Sequence, residues 1–177
     1  EDENQFNEDM FLVMKDEKRE ITLLALGDGV STAKLGSGKE ASSILRKNII
    51  EAFKEKASLL KDEISIKEFC SKVIAKSNID IIESIKTKVD ITKETPSGIM
   101  ATTLILAVIV RNKMYYTSIG DSRLFIYSEK DGLNLLNYED NVMNLKLANG
   151  MAWDKVVNSE GRYAITRYIG GGSFKDG

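Results

Sequence analysis

Leu23-Leu24-Ala25-Leu26-Gly27-Asp28-Gly29-Val30 begins as an apolar run and stops abruptly in Gly-Asp-Gly. The run has the length and composition of a buried strand. A carboxylate at its end, between two glycines, offers its oxygens and a neighbouring backbone carbonyl to a hard cation. The same residues also suit an ordinary strand closed by an Asp-Gly turn. What the rest of the chain brings to that strand end decides between the two.

Immediately upstream, Asn7-Glu8-Asp9 places two acids before the short apolar strand Met10-Phe11-Leu12-Val13-Met14. Residues 15–20 are polar and read as a hairpin connection into the strand at 21–26. Antiparallel neighbours pair start to finish, so Glu8 or Asp9 is carried towards Asp28. Acids gathered at one end of two strands repel each other unless a cation sits between them. That pairing favours a metal over a turn.

Downstream, residues 31–38 form a small-residue loop. Gly36-Ser37-Gly38-Lys39 is not a phosphate-binding P-loop, because Ala33 stands at the first glycine position and Glu40 follows the lysine. The loop instead opens a helix running to about residue 56, with Ala41, Ile44, Leu45, Ile49, Ala52 and Phe53 on one face. A second helix is expected from Ser65, where Ser65-Ile66-Lys67-Glu68 matches a capping box, to about Val89. Residues 91–97 read as a polar connection.

From Gly98 the period changes to that of strands. Residues 100–110, 114–119, 123–128 and 133–137 have hairpin spacing and predict a four-stranded antiparallel meander. Leu104–Val110 lacks alternation, which predicts a central strand covered on both faces. Gly120-Asp121-Ser122-Arg123 interrupts the meander, either as a bend in a long strand or as another carboxylate at a strand end. Residues 138–154 are helical and loop-like, with Trp153 expected as a packing anchor. Residues 164–169 then run into Gly170-Gly171-Gly172.

Composition narrows the chemistry. The 177 residues contain no histidine, which excludes Ser-His-Asp and Cys-His catalysis and His-ligated zinc within this sequence. The single cysteine, Cys70, allows no internal disulfide and falls on a helix face as a small hydrophobe. Hydrolysis must therefore come from carboxylates, a metal, or both. A net charge of -2 argues against nucleic-acid binding. No apolar run approaches the roughly 20 residues that span a bilayer, and no secretory leader is visible, so a cytoplasmic location without a membrane segment is expected. With one proline, Pro96, and no low-complexity stretch, a single domain over residues 1–177 is expected. Abundant lysine and isoleucine suit an AT-rich bacterial genome.

The order of these segments resembles the metal-dependent protein phosphatases of type 2C. Asn7-Glu8-Asp9, Asp28-Gly29-Val30, Gly120-Asp121-Ser122-Arg123 and Ile165-Thr166-Arg167-Tyr168-Ile169-Gly170 carry the likeness. Ala101-Thr102-Thr103 is similar to the Gly-Thr-Thr that opens the family's central strand. The resemblance implies an α+β fold, a four-layer α/β/β/α sandwich with two antiparallel sheets and metal ions at one end of them. It implies that Asp28 is the central catalytic acid, bridging two Mn²⁺ or Mg²⁺ ions, with Gly29 lending its carbonyl. Glu8 or Asp9 would hold one metal, and Asp121 would contribute to an additional, weaker position. Water activated between the ions would attack a phosphoserine or phosphothreonine of a protein substrate.

The sequence departs from the family pattern twice. The phosphate-binding arginine usually found four residues before the Glu of Asn-Glu-Asp is Asn4 here, and Arg19, Arg46 and Arg111 are not obvious substitutes. The family's later Asp-Gly and Asp-Asn motifs lie beyond Thr-Arg-x-x-Gly, whereas this sequence ends at Gly177. A domain incomplete at its C-terminus is therefore expected, lacking the C-terminal strands, binding metal weakly alone and leaving a sheet edge exposed. A metal-dependent serine/threonine phosphatase is the first reading. A catalytically deficient phosphatase-like regulatory or scaffold module is the alternative.

Overall fold

Alternation along the first two strands sets the main sheet. The computed structural model describes residues 7–86 and 98–170. In β1 (Met10–Asp16), Met10 and Leu12 turn inward while Phe11 and Val13 turn outward. In β2 (Ile21–Gly27), Ile21, Leu23 and Ala25 do the same against Leu24 and Leu26. The two pair antiparallel from Met10↔Gly27 to Asp16↔Ile21. The connection is shorter than the polar stretch 15–20 suggests, because Lys15 and Asp16 still pair in the ladder. A single 3₁₀ turn, Glu17–Arg19, reverses the chain, with the Asp16 carboxylate accepting from the Arg19 N–H.

Residues 100–110 divide in two at Thr103. The short β3 (Ala101–Thr102) leaves the main sheet, and β4 (Leu104–Val110) lies between β2 and β5 (Lys113–Ile119), giving the order β1-β2-β4-β5. As the unbroken apolar run predicts, β4 is central, and Leu104 through Val108 are buried on both faces. Leu104, Leu106 and Val108 meet the helices. Each such side chain contributes about 1.5–3 kcal/mol by leaving water.

The helices α1 (Gly38–Lys56) and α2 (Glu63–Lys86) cover that face with Ala41, Leu45, Ile49 and Phe53, and with Ile66, Phe69, Val73, Ile81 and Ile85. Ser37 caps α1, its Oγ accepting from the Glu40 N–H at 3.2 Å. α2 begins a turn earlier than its apparent box at Ser65. The reciprocal cap is Asp62 with Ser65: the Ser65 N–H donates to Asp62 Oδ1 at 2.9 Å and the Asp62 N–H to Ser65 Oγ at 3.2 Å. With Asp62 as the cap, Ser65 stands at the third helical position, where its Oγ reaches back to the Asp62 N–H. The expected end of this helix near Val89 and the connection at 91–97, with Pro96, lie outside the described residues.

The expected four-strand meander is two hairpins instead. The chain leaves the main sheet at Gly120, whose φ is +99°. Among the described residues β6 (Phe125–Ser128) and β7 (Gly132–Leu135) pair only with each other. Tyr116 Oη, donating to the Leu136 carbonyl at 2.6 Å, ties this second hairpin to β5. After α3 (Val142–Ala148) and α4 (Trp153–Val157), β8 (Ile169–Gly170) returns to pair with β3. Trp153 is not a packing anchor. It starts a five-residue helix with 61% of its surface exposed, and Val156 is the residue that helix buries. Helices on antiparallel sheets are the arrangement that the α+β reading requires.

Candidate metal centre

Asp28 sits one residue beyond β2, and its backbone is held from two directions. Its N–H donates to Thr103 Oγ1 at 2.9 Å, and its carbonyl accepts from the Thr103 N–H at 2.9 Å and from Thr102 Oγ1 at 3.1 Å. Both threonines are fully buried. The break between β3 and β4 thus has a purpose: it turns Thr103 out of the ladder to grip Asp28. Two threonines just before a seven-residue apolar run were the signal for this, since hydroxyls are poorly suited to a strand buried on both faces unless they are bonded.

An ordinary Asp-Gly turn would use Gly29 for a positive φ, and Gly29 does not have one. Gly29 is needed for closeness. A Cβ there would overlap the carbonyl of Gly38 and lie 2.6 Å from the carbonyl oxygen of Glu8. Gly38, where α1 begins, meets Gly29 in the same way. Gly38, the last residue of the Gly-Ser-Gly loop, is therefore the seat on which the strand end rests.

The register Met10↔Gly27 carries Asp9 to the strand end occupied by Asp28, as the hairpin predicts. Glu8 is tied to α1 by Ser42 Oγ, which donates to its carbonyl at 2.7 Å. Asp121 follows Gly120 where β5 ends. Partial desolvation at the strand end, where Asp28 itself stays exposed, holds its carboxyl above the usual carboxylate range. The adjoining Asp9, by charge and by a shared hydrogen bond, and then Asp121 and Glu8, push the same way. Asp9, Asp121 and Glu8 thus each act on the Asp28 carboxyl, Asp9 most strongly.

Among the described residues none of these four acids has an ion-pair partner. Arg123, in the field of Asp121, is committed to Glu139 at 2.6 Å. Carboxylate oxygens of like charge with no cation among the described residues paired to them suit a hard, oxygen-seeking dication such as Mg²⁺ or Mn²⁺. Among the described residues, however, no three acids close tightly enough to form a complete metal cage.

Other candidates fall away. The Cys70 thiol is buried in α2 and pushed up to about 11 by that burial, so it stays protonated. Arg19 pairs with Asp16, and Arg111 donates its N–H to the Glu20 carbonyl, both at the far end of β1 and β2. Seven strand residues separate them from Asp28, roughly 20 Å. Arg46 lies on α1, and Asn4 lies outside the described residues. No described helix is long and apolar enough to cross a membrane.

The protein phosphatase 2C family profile matches residues 1–145. Among solved structures, the chain superposes on the serine/threonine phosphatase of S. agalactiae with a TM-score of 0.70 at 19% identity, covering 94% of this chain and 64% of that one. A serine/threonine phosphatase of Staphylococcus aureus gives 0.73 at 18%, covering 96% and 62%. One of Mycobacterium tuberculosis gives 0.62 at 22%, covering 93% and 62%. The chain thus spans under two thirds of each of these structures, and at such identities the likeness is one of fold. No curated protein matches the sequence.

Proposed function

Because the chain belongs to the protein phosphatase 2C family, we propose that the protein is a metal-dependent protein serine/threonine phosphatase. Asp28, Asp9, Glu8, Asp121 and the Gly29 carbonyl would hold Mn²⁺ or Mg²⁺. Bound divalent ions acidify water and neutralise phosphoryl oxygens without histidine or cysteine, matching a sequence that has no histidine and a single buried cysteine. The residues of this chain supply position. Thr102 and Thr103 fix the Asp28 backbone, and the Gly29–Gly38 contact fixes the strand end against α1. The reaction adds water to phosphorus and releases the serine or threonine hydroxyl and inorganic phosphate. A cytoplasmic phosphoprotein is the substrate class this chemistry suits.

The observation that carries the reading is the register Met10↔Gly27, which brings Asp9 to the strand end that carries Asp28, where Asp121 and Glu8 also act on the same carboxyl. The test is Mn²⁺-dependent hydrolysis of an aryl phosphate by the full-length protein, abolished in Asp28→Ala. Absence of metal-dependent turnover in the unsubstituted protein overturns it. The regulatory-module reading draws on Asn4, which stands where the family's phosphate-binding arginine is usual, and on the distance of Arg19 and Arg111 from Asp28. Metal binding without turnover would favour that module.

A further inference from the structure

We infer that Asp140, clamped by Arg167, is the positioning residue that aims Asp121 at Asp28; the inference rests on the metal-site reading above. The turn at 120–124 is held almost residue by residue from the segment 136–140. The Gly120 N–H donates to Asp140 Oδ2 at 3.0 Å, and the Asp140 N–H donates back to the Gly120 carbonyl at 2.9 Å. Asn137 Nδ2 donates to the Ser122 carbonyl at 2.9 Å, and Arg123 Nε donates to Glu139 Oε1 at 2.6 Å. The Leu124 N–H donates to Asn137 Oδ1 at 2.7 Å, and its carbonyl accepts from the Leu136 N–H at 2.8 Å.

Asp121 is the exception. Its carboxylate has no hydrogen bond among the described residues, and its charge acts on Asp28. Gly120, Ser122, Arg123 and Leu124 around it are each bonded, and Asp121 is the acid of this turn that the metal reading uses. A carboxylate accepting a backbone N–H makes a stronger bond than a neutral acceptor would. Only 13% of the Asp140 side chain is exposed. Its other oxygen, Oδ1, accepts from Arg167 Nη1 at 3.2 Å, and its carbonyl accepts from the Thr166 N–H at 2.8 Å. Thr166-Arg167 therefore acts on the site from behind, through Asp140 and Gly120.

Gly120 transmits the hold to Asp28. At φ +99°, a Cβ on it would lie 2.6 Å from Thr103 Cγ2, so the turn rests on the same threonine that grips Asp28. Thr103 Oγ1 also lies 2.8 Å from Ser122 Oγ. Arg167, Asp140, Gly120, Thr103 and Asp28 form one continuous set of contacts.

The test is Mn²⁺ titration of the full-length protein, read by the electron paramagnetic resonance of free Mn²⁺, with melting temperature recorded beside it. Asp140→Ala should weaken Mn²⁺ binding about tenfold, the lower end of what lost supporting partners cost a metal site. Arg167→Ala should weaken it by a smaller factor, and Arg167→Lys should restore it. In an Asp121→Ala background, Asp140→Ala should cost nothing further, because its effect runs through Asp121. Unchanged affinity in both Asp140→Ala and Arg167→Ala overturns the inference, as does an equal loss with and without Asp121. If Asp140→Ala does not fold, Asp140→Asn and Arg167→Ala decide by the same criteria. Bound Mn²⁺ without phosphoester turnover overturns the hydrolase reading alone. No Mn²⁺ binding by the unsubstituted protein overturns the metal site and this inference together.

Discussion

Gly29 and Gly38 touch backbone to backbone, so that a side chain on either would overlap the peptide of the other. The contact joins the end of β2 to the start of α1 and sets how far Asp28 projects from the sheet. Alanine at either position should destabilise the protein by about 1–3 kcal/mol, the usual cost of overpacking a close contact. Urea denaturation measures it, and a variant as stable as the parent would show that the strand end is not held there.

Asp28 predicts a pH dependence. Its folded carboxyl is raised above the ordinary value of 3.8 by partial desolvation and by the neighbouring acids. The folded state therefore holds a proton that the unfolded state has released. Stability of the metal-free protein should fall as pH rises from that value through the raised folded one, and then level off. Asp28→Asn should flatten the decline and raise the melting temperature at pH 7 by roughly 1–2 °C, after discounting for solvent screening. A lower melting temperature in Asp28→Asn would contradict the repulsion.

Thr103→Val keeps the shape and removes the hydroxyl. The Asp28 N–H and Ser122 Oγ both lose a partner, at a cost of about 1–3 kcal/mol in chemical denaturation. Thr103→Ser should recover most of it. Equal losses in both variants would assign the effect to packing rather than to the hydroxyl.

Cys70 should be inert in the folded protein. Buried and pushed up to about 11, its thiol should resist iodoacetamide at pH 8 and react on unfolding in urea. Mass spectrometry of the labelled protein reads the difference. Rapid labelling under native conditions would contradict the packing of α2.

Much of this arrangement was legible because it follows from period and pairing. The unbroken run Leu104–Val110 called for a central strand, and two acids before one strand of a hairpin had to meet Asp28 at the end of the other. What escaped depends on contacts distant in sequence. The break at Thr103 comes from its bonds to Asp28, 75 residues away. The parting of β5 from β6 comes from Gly120, held by Asp140. The cap at Asp62 escaped because Ser65-Ile66-Lys67-Glu68 presents the same pattern one turn later. Trp153 was misplaced because size alone does not tell which residue of a short helix faces inward.

Release of phosphate from a phosphothreonine peptide by the full-length protein, followed against Mn²⁺ concentration, tests the metal site most directly. Saturable Mn²⁺ dependence, lost with chelator and lost in Asp28→Ala, is the expected result. Phosphate release that persists unchanged in chelator, or in Asp28→Ala, would contradict it.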